Sequence, residues 1–223
     1  MEKIVNGALY VVSTPIGNLA DITFRAVHIL KNVDIIAAED TRTTSILLKH
    51  YQIHKKSVAY HSYNQKSQTP KLIDQLKTGK SIALVSDAGT PGISDPAYQL
   101  VIACINENLR IIPIPGPSAL LAALVVSGLP VNRFVFEGFL PIKKGRQTKQ
   151  LFEMEKIEAT HIIYESPYRI LKLIENINKI FPKKILCIGK ELTKYNEKDL
   201  NFDAYLRYKK LMSDQRNTRI LPI

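Results

Sequence analysis

Short apolar runs alternate with amphipathic stretches through the first half of the chain. Ala8–Ser13 is an apolar, β-rich run that predicts a strand, and Thr14–Leu19 a loop at its carboxyl end. Asp21 to Lys31 places Ile22, Ala26, Ile29 and Leu30 on one helical face. Asp34–Ala38 predicts the next strand, ending in Glu39-Asp40-Thr41-Arg42, and Ser45–Tyr51 a short helix. Ser57–Tyr60 predicts a strand and His61–Gln68 a polar loop. Thr69 and Pro70 then read as N-cap and first residue of a helix that stops at Gly79. Ile82–Val85 reads as a buried strand, Ala97–Asn106 as a helix with Ser94 or Asp95 as cap, and Arg110–Ile114 as a strand. A repeated strand-loop-helix order implies a parallel sheet covered on both faces.

Pro115-Gly116-Pro117-Ser118 interrupts this order and marks a domain junction, dividing residues 1–115 from 116–223. Beyond it, Ser118 is placed to cap an apolar helix over Ala119–Ser127. Arg133–Phe139, His161–Tyr164 and Lys184–Gly189 read as strands. Helices are expected from Gln147 to Ile157 and up to Ile180, with Lys143–Arg146 a basic loop before the first of them. After Asn196 the periodicity fades into charged sequence, which reads as an altered or truncated end. The fold class is therefore α/β in two domains, with a parallel sheet in the first and a mixed, incomplete sheet in the second.

The polar segment Ser86–Pro96 carries most of the candidate chemistry. Its eleven positions hold two glycines, two prolines and two aspartates, more than a plain strand-to-helix turn requires. In open α/β sheets, ligands bind outside the carboxyl ends of strands. Gly89 and Gly92 allow close backbone approach to a ligand, and Ser86, Asp87, Thr90 and Ser94 supply polar side chains. Neither a Gly-x-Gly-x-x-Gly nor a Gly-x-x-x-x-Gly-Lys-Ser/Thr signature follows a strand, so a dinucleotide fold and a P-loop are not supported.

Charge adds a partner class. The formal net charge is +11, from 31 Lys+Arg against 20 Asp+Glu, which suits a polyanion such as RNA. Cys104 and Cys187 sit far apart in apolar surroundings and read as buried thiols of a reducing, cytoplasmic compartment. Neither has a second ligand at zinc spacing, so no metal is expected. No apolar run reaches membrane-spanning length, and no membrane partner is expected.

Seven segments, in order, resemble one family: Leu9–Leu19, Ala38–Arg42, Ser86–Pro96, Pro113–Ala123, Phe136–Pro141, Tyr164–Pro167 and Glu191–Lys194. Together they are similar to the tetrapyrrole-methylase superfamily, and within it to the branch that methylates a cytidine ribose 2′-hydroxyl in small-subunit ribosomal RNA. The resemblance implies S-adenosylmethionine as methyl donor, held in a cleft between two α/β domains, and a homodimer. The expected donor contacts are Pro15, the loop Ser86, Asp87, Ala88, Gly89 and Thr90 with Pro91, Ile93 and Ser94, and the junction Pro115, Gly116, Ser118 and Ala119.

Transfer to a hydroxyl needs alignment and removal of a proton. Asp40 and Glu165 are the candidate bases, with Arg42 beside the reacting groups. For Asp40, a helix cap with a local ion pair is an equally good reading. Lys143, Lys144, Arg146, Arg169, Lys190 and Lys194 are the candidate RNA contacts. The sequence departs from the family pattern at Tyr63, Gly92, Ala97, Tyr168 and Lys190, and its end carries no recognisable helical extension. Two alternatives stand: a methylase of a tetrapyrrole or other small molecule, and an inactive RNA-binding relic.

Overall fold

A computed structural model describes residues 3–194 and 198–202, and the chain divides into two compact units at Ser118/Ala119. The first unit is built on five strands: β1 (Leu9–Val12), β2 (Ile35–Ala38), β3 (Ser57–Ala59), β4 (Ile82–Val85) and β5 (Ile111–Ile114). All pairings are parallel, in the order β3-β2-β4-β1-β5. Four helices cover the sheet: α1 (Phe24–Asn32), α2 (Thr41–His50), α3 (Gln65–Lys77) and α4 (Ala97–Asn106).

Alternation along the strands divides the core into two layers. Tyr10, Val12, Ile36, Ala38, Ala83 and Val85 face α1 and α2, packing on Ala26, Ile29, Leu30, Leu47 and Leu48. Leu9, Ile35, Ala37, Ile82 and Leu84 face the opposite way, onto Leu72, Ile73, Leu76, Leu100 and Cys104 of α3 and α4. Every residue of β2 and β4 is buried, which is why these strands read as unbroken apolar runs. Burial pushes the Cys104 thiol up to about 11, so it behaves as a small core residue.

Several helices begin earlier than the sequence indicates. The α2 helix starts at Thr41, because the Asp40 side chain accepts the Arg42 backbone N–H and caps it. The α3 helix starts at Gln65 and carries Pro70 inside, so Thr69 and Pro70 do not open it. The cause is Asn64: its Oδ1 accepts the His61 N–H and its Nδ2 donates to the Ala59 carbonyl. That closes a turn at the end of β3 and aims the chain into a helix five residues before the proline. The α1 helix, in contrast, starts later than Asp21, at Phe24 capped by Thr23, because a 3₁₀ turn occupies Leu19–Asp21.

The second unit holds α5 (Ala119–Val126), β6 (Phe134–Phe139), α6 (Lys144–Glu155), β7 (Thr160–Tyr164), α7 (Ile170–Ile180), β8 (Leu186–Lys190) and β9 (Lys198–Phe202). β6 and β7 pair in parallel, and β8 and β9 pair antiparallel as a separate ribbon. Leu140, Leu151, Met154, Leu173 and Ile177 form its core. Three expectations change here. The basic stretch from Lys144 onward is the first turn of α6 rather than a loop. Cys187 is half-buried on β8 rather than fully buried. A strand also occurs past Asn196, where the pattern had faded. The expected C-terminal features beyond Phe202 lie outside the described residues.

Candidate functional site

Three loops singled out in the sequence meet at the carboxyl edge of the first unit's sheet. Thr14, just after β1, and Gly89, in the loop after β4, exchange backbone hydrogen bonds of 2.9 and 3.0 Å. The Thr14 hydroxyl donates to the Ser86 carbonyl at 3.2 Å. The Thr90 hydroxyl donates to the Pro117 carbonyl at 3.1 Å, which leaves Ser13 to donate its own proton to Thr90 Oγ1 at 3.0 Å. Segments 13–16, 86–90 and 115–118 thus form one stitched platform. Ser13 and Thr14 were missed as site residues, and the available signal was a pair of hydroxyls ending an apolar strand.

The backbone of this platform takes conformations that glycine favours. Gly89 has φ +82° and Gly92 φ +95°, and a Cβ at Gly92 would meet nothing within 4 Å. Ser94 adopts φ +69°. Asp95 holds the end of the loop, its Oδ1 accepting the N–H groups of Gly92 and Ala97 at 2.7 and 3.0 Å. The N-cap of α4 is Pro96, so neither Ser94 nor Asp95 takes the expected cap position; Asp95 instead bonds the first helical N–H from one residue before the cap. At the junction, a Cβ on Gly116 would lie 2.9 Å from Ser13 Cβ, so glycine is what lets this segment pass so close to the end of β1. Thr14, Pro15, Leu19, Thr43, Ile46 and Asp87 are among the walls of a shallow pocket of about 130 Å³ beside this platform.

Carboxylates crowd the ends of β2 and β4. Glu39 Oε2 accepts the Asp87 N–H at 3.2 Å, and Asp87 Oδ1 accepts the Asp40 N–H at 3.0 Å. Burial, Asp87 and Asp95 together raise the Glu39 carboxyl above its ordinary range, against the Asp87 N–H and His61. Asp87 is raised as well, chiefly by desolvation. Asp40 behaves in the opposite way. Arg42 Nε and Nη2 grip its two oxygens, with Nη2 to Oδ2 at 2.6 Å, and hold its carboxyl at about 2. The cap and the ion pair are therefore both present at Asp40. A carboxylate held that low is a weak proton acceptor, and its visible work is to hold the exposed Arg42 guanidinium in place.

Residues 8–201 match the family of Tetrapyrrole (Corrin/Porphyrin) Methylases. The chain belongs to this family. Curated relatives agree: it is 50% identical over 192 residues to ribosomal RNA small subunit methyltransferase I of Synechocystis sp., covering 86% of this chain and 69% of the relative. The corresponding protein of Halalkalibacterium halodurans is 49% identical over 194 residues, covering 87% of this chain and 67% of the relative. Among solved structures, cobalt precorrin-4 methyltransferase superposes with a TM-score of 0.66 at 16% identity, over 96% of this chain and 92% of that one. Diphthine synthase gives 0.67 at 14% identity, over 92% and 84%. These two likenesses concern the fold.

The remaining candidates of this methylase lie in its second unit. Glu165 follows β7; its side chain is 2% exposed, and its Oε1 takes the Ser166 N–H and the Arg169 guanidinium. Its Oε2 is buried without a hydrogen-bond partner. Arg169 is thereby committed to Glu165, and Lys194 Nζ reaches Glu191 Oε1 at 3.4 Å. Lys190 ends β8 half-buried. Lys143, Lys144 and Arg146 differ from these, since all three are exposed at the start of α6. Cations oppose the helix dipole there, so the local helix gains nothing from them and a phosphate-bearing partner would.

The platform also fits the donor that the family implies. Gly92 leaves backbone open to a neighbour, and the exposed Asp87 carboxylate is suited to a ribose diol or a sulfonium. Among the described residues no His, Cys, Asp and Glu group could hold a metal ion.

Proposed function

We propose that this methylase transfers a methyl group from S-adenosylmethionine to the 2′-hydroxyl of a cytidine ribose in the RNA of the small ribosomal subunit. The observation that carries the reading is the near-50% identity to ribosomal RNA small subunit methyltransferases over most of the chain. The basic composition and the exposed Lys143, Lys144 and Arg146 support it.

In this reading the loop Ser86–Ser94, with Pro15, Pro115, Gly116, Ser118 and Ala119, seats the donor. S-adenosylmethionine supplies a methyl group activated by its sulfonium. Gly89, paired to Thr14, and the open space at Gly92 let the loop backbone lie close against it, and Asp87 accepts from its hydroxyls or faces its charge. Arg42, fixed by Asp40, faces the RNA phosphate beside the reacting ribose or the alkoxide as it forms. Lys190 and Lys194, with Arg169 paired to Glu165, are the second unit's candidate contacts for the RNA. Among the described residues no helix is long and apolar enough to cross a membrane, and we place the activity in the cytoplasm, where ribosomal subunits assemble.

We also read the protein as a homodimer. α5 is apolar on all sides, and Leu121 and Val125 are 49% and 71% exposed on it, surface that a second copy would bury. Sedimentation velocity at micromolar concentration should show a dimer, and a monomer throughout would contradict this.

The test of substrate is incorporation of labelled methyl from S-adenosylmethionine into isolated small ribosomal subunits against a reduced porphyrin. Incorporation into subunits is expected. Preferential transfer to the porphyrin would overturn the reading, and donor binding without transfer to any RNA would favour an inactive RNA-binding protein.

A further inference from the structure

We propose that Glu39 is the residue that accepts the proton of the acceptor hydroxyl during methyl transfer. The proposal rests on the function given above and deepens it, because neither base candidate drawn from the sequence is placed well for the task. Asp40 is tied to Arg42 by three hydrogen bonds and holds its proton too weakly. Glu165 is ion-paired with Arg169, and although its Oε2 has no partner its side chain is only 2% exposed and so closed to an incoming hydroxyl.

The strand order supplies the first argument for Glu39. β2 and β4 are neighbours in the order β3-β2-β4-β1-β5. The chain leaves β2 toward β3 on one side, and it leaves β4 toward β5 on the other. The two connections therefore diverge, and a crevice opens at the carboxyl ends of this pair of strands. Open α/β sheets place their reacting ligands at such a switch point. Glu39 is the residue that follows β2, and Ser86 and Asp87 follow β4, so the two sides of the crevice are Glu39 and the start of the donor loop.

The second argument is the environment. Glu39 is half-buried at a closed seam with Tyr60, Ser86, Pro91 and Asp95, which leaves no space for a water molecule. Its Oε2 takes one long hydrogen bond, 3.2 Å from the Asp87 N–H, and among the described residues no lysine or arginine forms an ion pair with it. Asp87 and Asp95 face it as like charges, His61 opposes them, and Arg42 is turned to Asp40. A carboxylate crowded by acids and removed from water binds a proton more readily than one in solvent. A base is most useful when its proton affinity is drawn toward the working pH.

The step balances as follows. The ribose 2′-oxygen forms a bond to the methyl carbon while the carbon–sulfur bond breaks, its electron pair remaining on sulfur. The hydroxyl proton passes to the Glu39 carboxylate and leaves from there to water. The neutral thioether product and the protonated carboxyl account for the charge of the sulfonium and the proton.

Glu39→Gln tests the assignment, because the amide oxygen still accepts the Asp87 N–H while the proton-accepting function is lost. The donor dissociation constant should stay within about threefold of the parent. The single-turnover rate should fall by about 100-fold or more, as expected for loss of a general base. In the parent, the rate should decline as pH falls through the raised Glu39 titration, since only the ionised carboxylate accepts a proton, and Glu39→Gln should lack that decline. Glu39→Asp should recover part of the rate. A readout without turnover is the ¹³C-carboxyl resonance of Glu39, assigned by its loss in Glu39→Gln, which should titrate above the ordinary glutamate range.

A Glu39→Gln rate within threefold of the parent would overturn the proposal. So would persistence of the acid decline in Glu39→Gln together with its disappearance in Glu165→Gln. If the parent itself methylates no RNA, the function is what fails, whereas an active parent with an indifferent Glu39 refutes this assignment alone.

Discussion

Gly89→Val is expected to abolish measurable binding of S-adenosylmethionine, lowering affinity by more than about 100-fold while the fold persists. Gly89 sits at φ +82°, a region that β-branched residues strongly avoid. Its N–H and carbonyl are both paired to Thr14, so the chain cannot relax its φ without breaking the bridge that unites the two loops. A Cβ would already stand 3.4 Å from Ile16 Cγ2 and 3.8 Å from the Pro117 carbonyl, and the two valine methyls would extend beyond it. Holding a bulky residue in such a conformation costs roughly 1–3 kcal/mol. The platform should therefore shift, taking the donor-facing backbone with it. The two apolar layers of the first unit include none of residues 86–96, so the sheet has no reason to unfold. Titration calorimetry measures the affinity, and far-UV circular dichroism checks the fold. Unchanged affinity in a folded variant would show that the loop does not seat the donor.

Arg42→Ala should leave donor affinity unchanged and lower turnover on small-subunit RNA by about 10- to 100-fold, the range expected for loss of a charge-assisted hydrogen bond. The Arg42 side chain is 90% exposed yet held in one place by Asp40, so its guanidinium is presented outward without the usual freedom of a surface arginine. Ordering it in advance lowers the entropic cost of gripping a phosphate. RNA affinity of the parent should fall steeply with salt as counterions are released, and Arg42→Ala should lessen that slope by about one phosphate contact. Donor affinity should respond little to salt in either protein. Filter binding across a salt series, set beside donor titrations, separates the two effects. A salt-independent RNA interaction, or an Arg42→Ala loss confined to the donor, would contradict the role given to this side chain.

The parallel sheet of the first unit is legible because β2 and β4 are buried on both faces and so read as continuous apolar runs. The chemistry at the strand ends is legible for a related reason. Glycine, proline and aspartate are concentrated in 86–96, where ordinary turns need few of them. Helix starts are less legible, since they depend on single side chains reaching across turns. Asn64, bonded to His61 and Ala59, advances α3 past the apparent signal of Thr69-Pro70, and Asp40 advances α2 to Thr41. The acidic pair behaves in the same way. From sequence, Glu39 and Asp40 are adjacent carboxylates with nothing to rank them. Only the fold shows that Arg42 claims Asp40 while burial and two aspartates surround Glu39. The second unit was read less completely because β7 and β8 are half-buried throughout and the strands pair as two separate ribbons, so the apolar periodicity is diluted.

The most direct test of the account is the position of the transferred methyl group. Small ribosomal subunits are incubated with the protein and labelled S-adenosylmethionine, and the RNA is then hydrolysed in alkali. A 2′-O-methyl ribose blocks cleavage at its own phosphodiester. The account predicts label in an alkali-resistant dinucleotide that releases 2′-O-methylcytidine on further digestion. Label on a base, in a mononucleotide, or in a porphyrin offered alongside the subunits would contradict it.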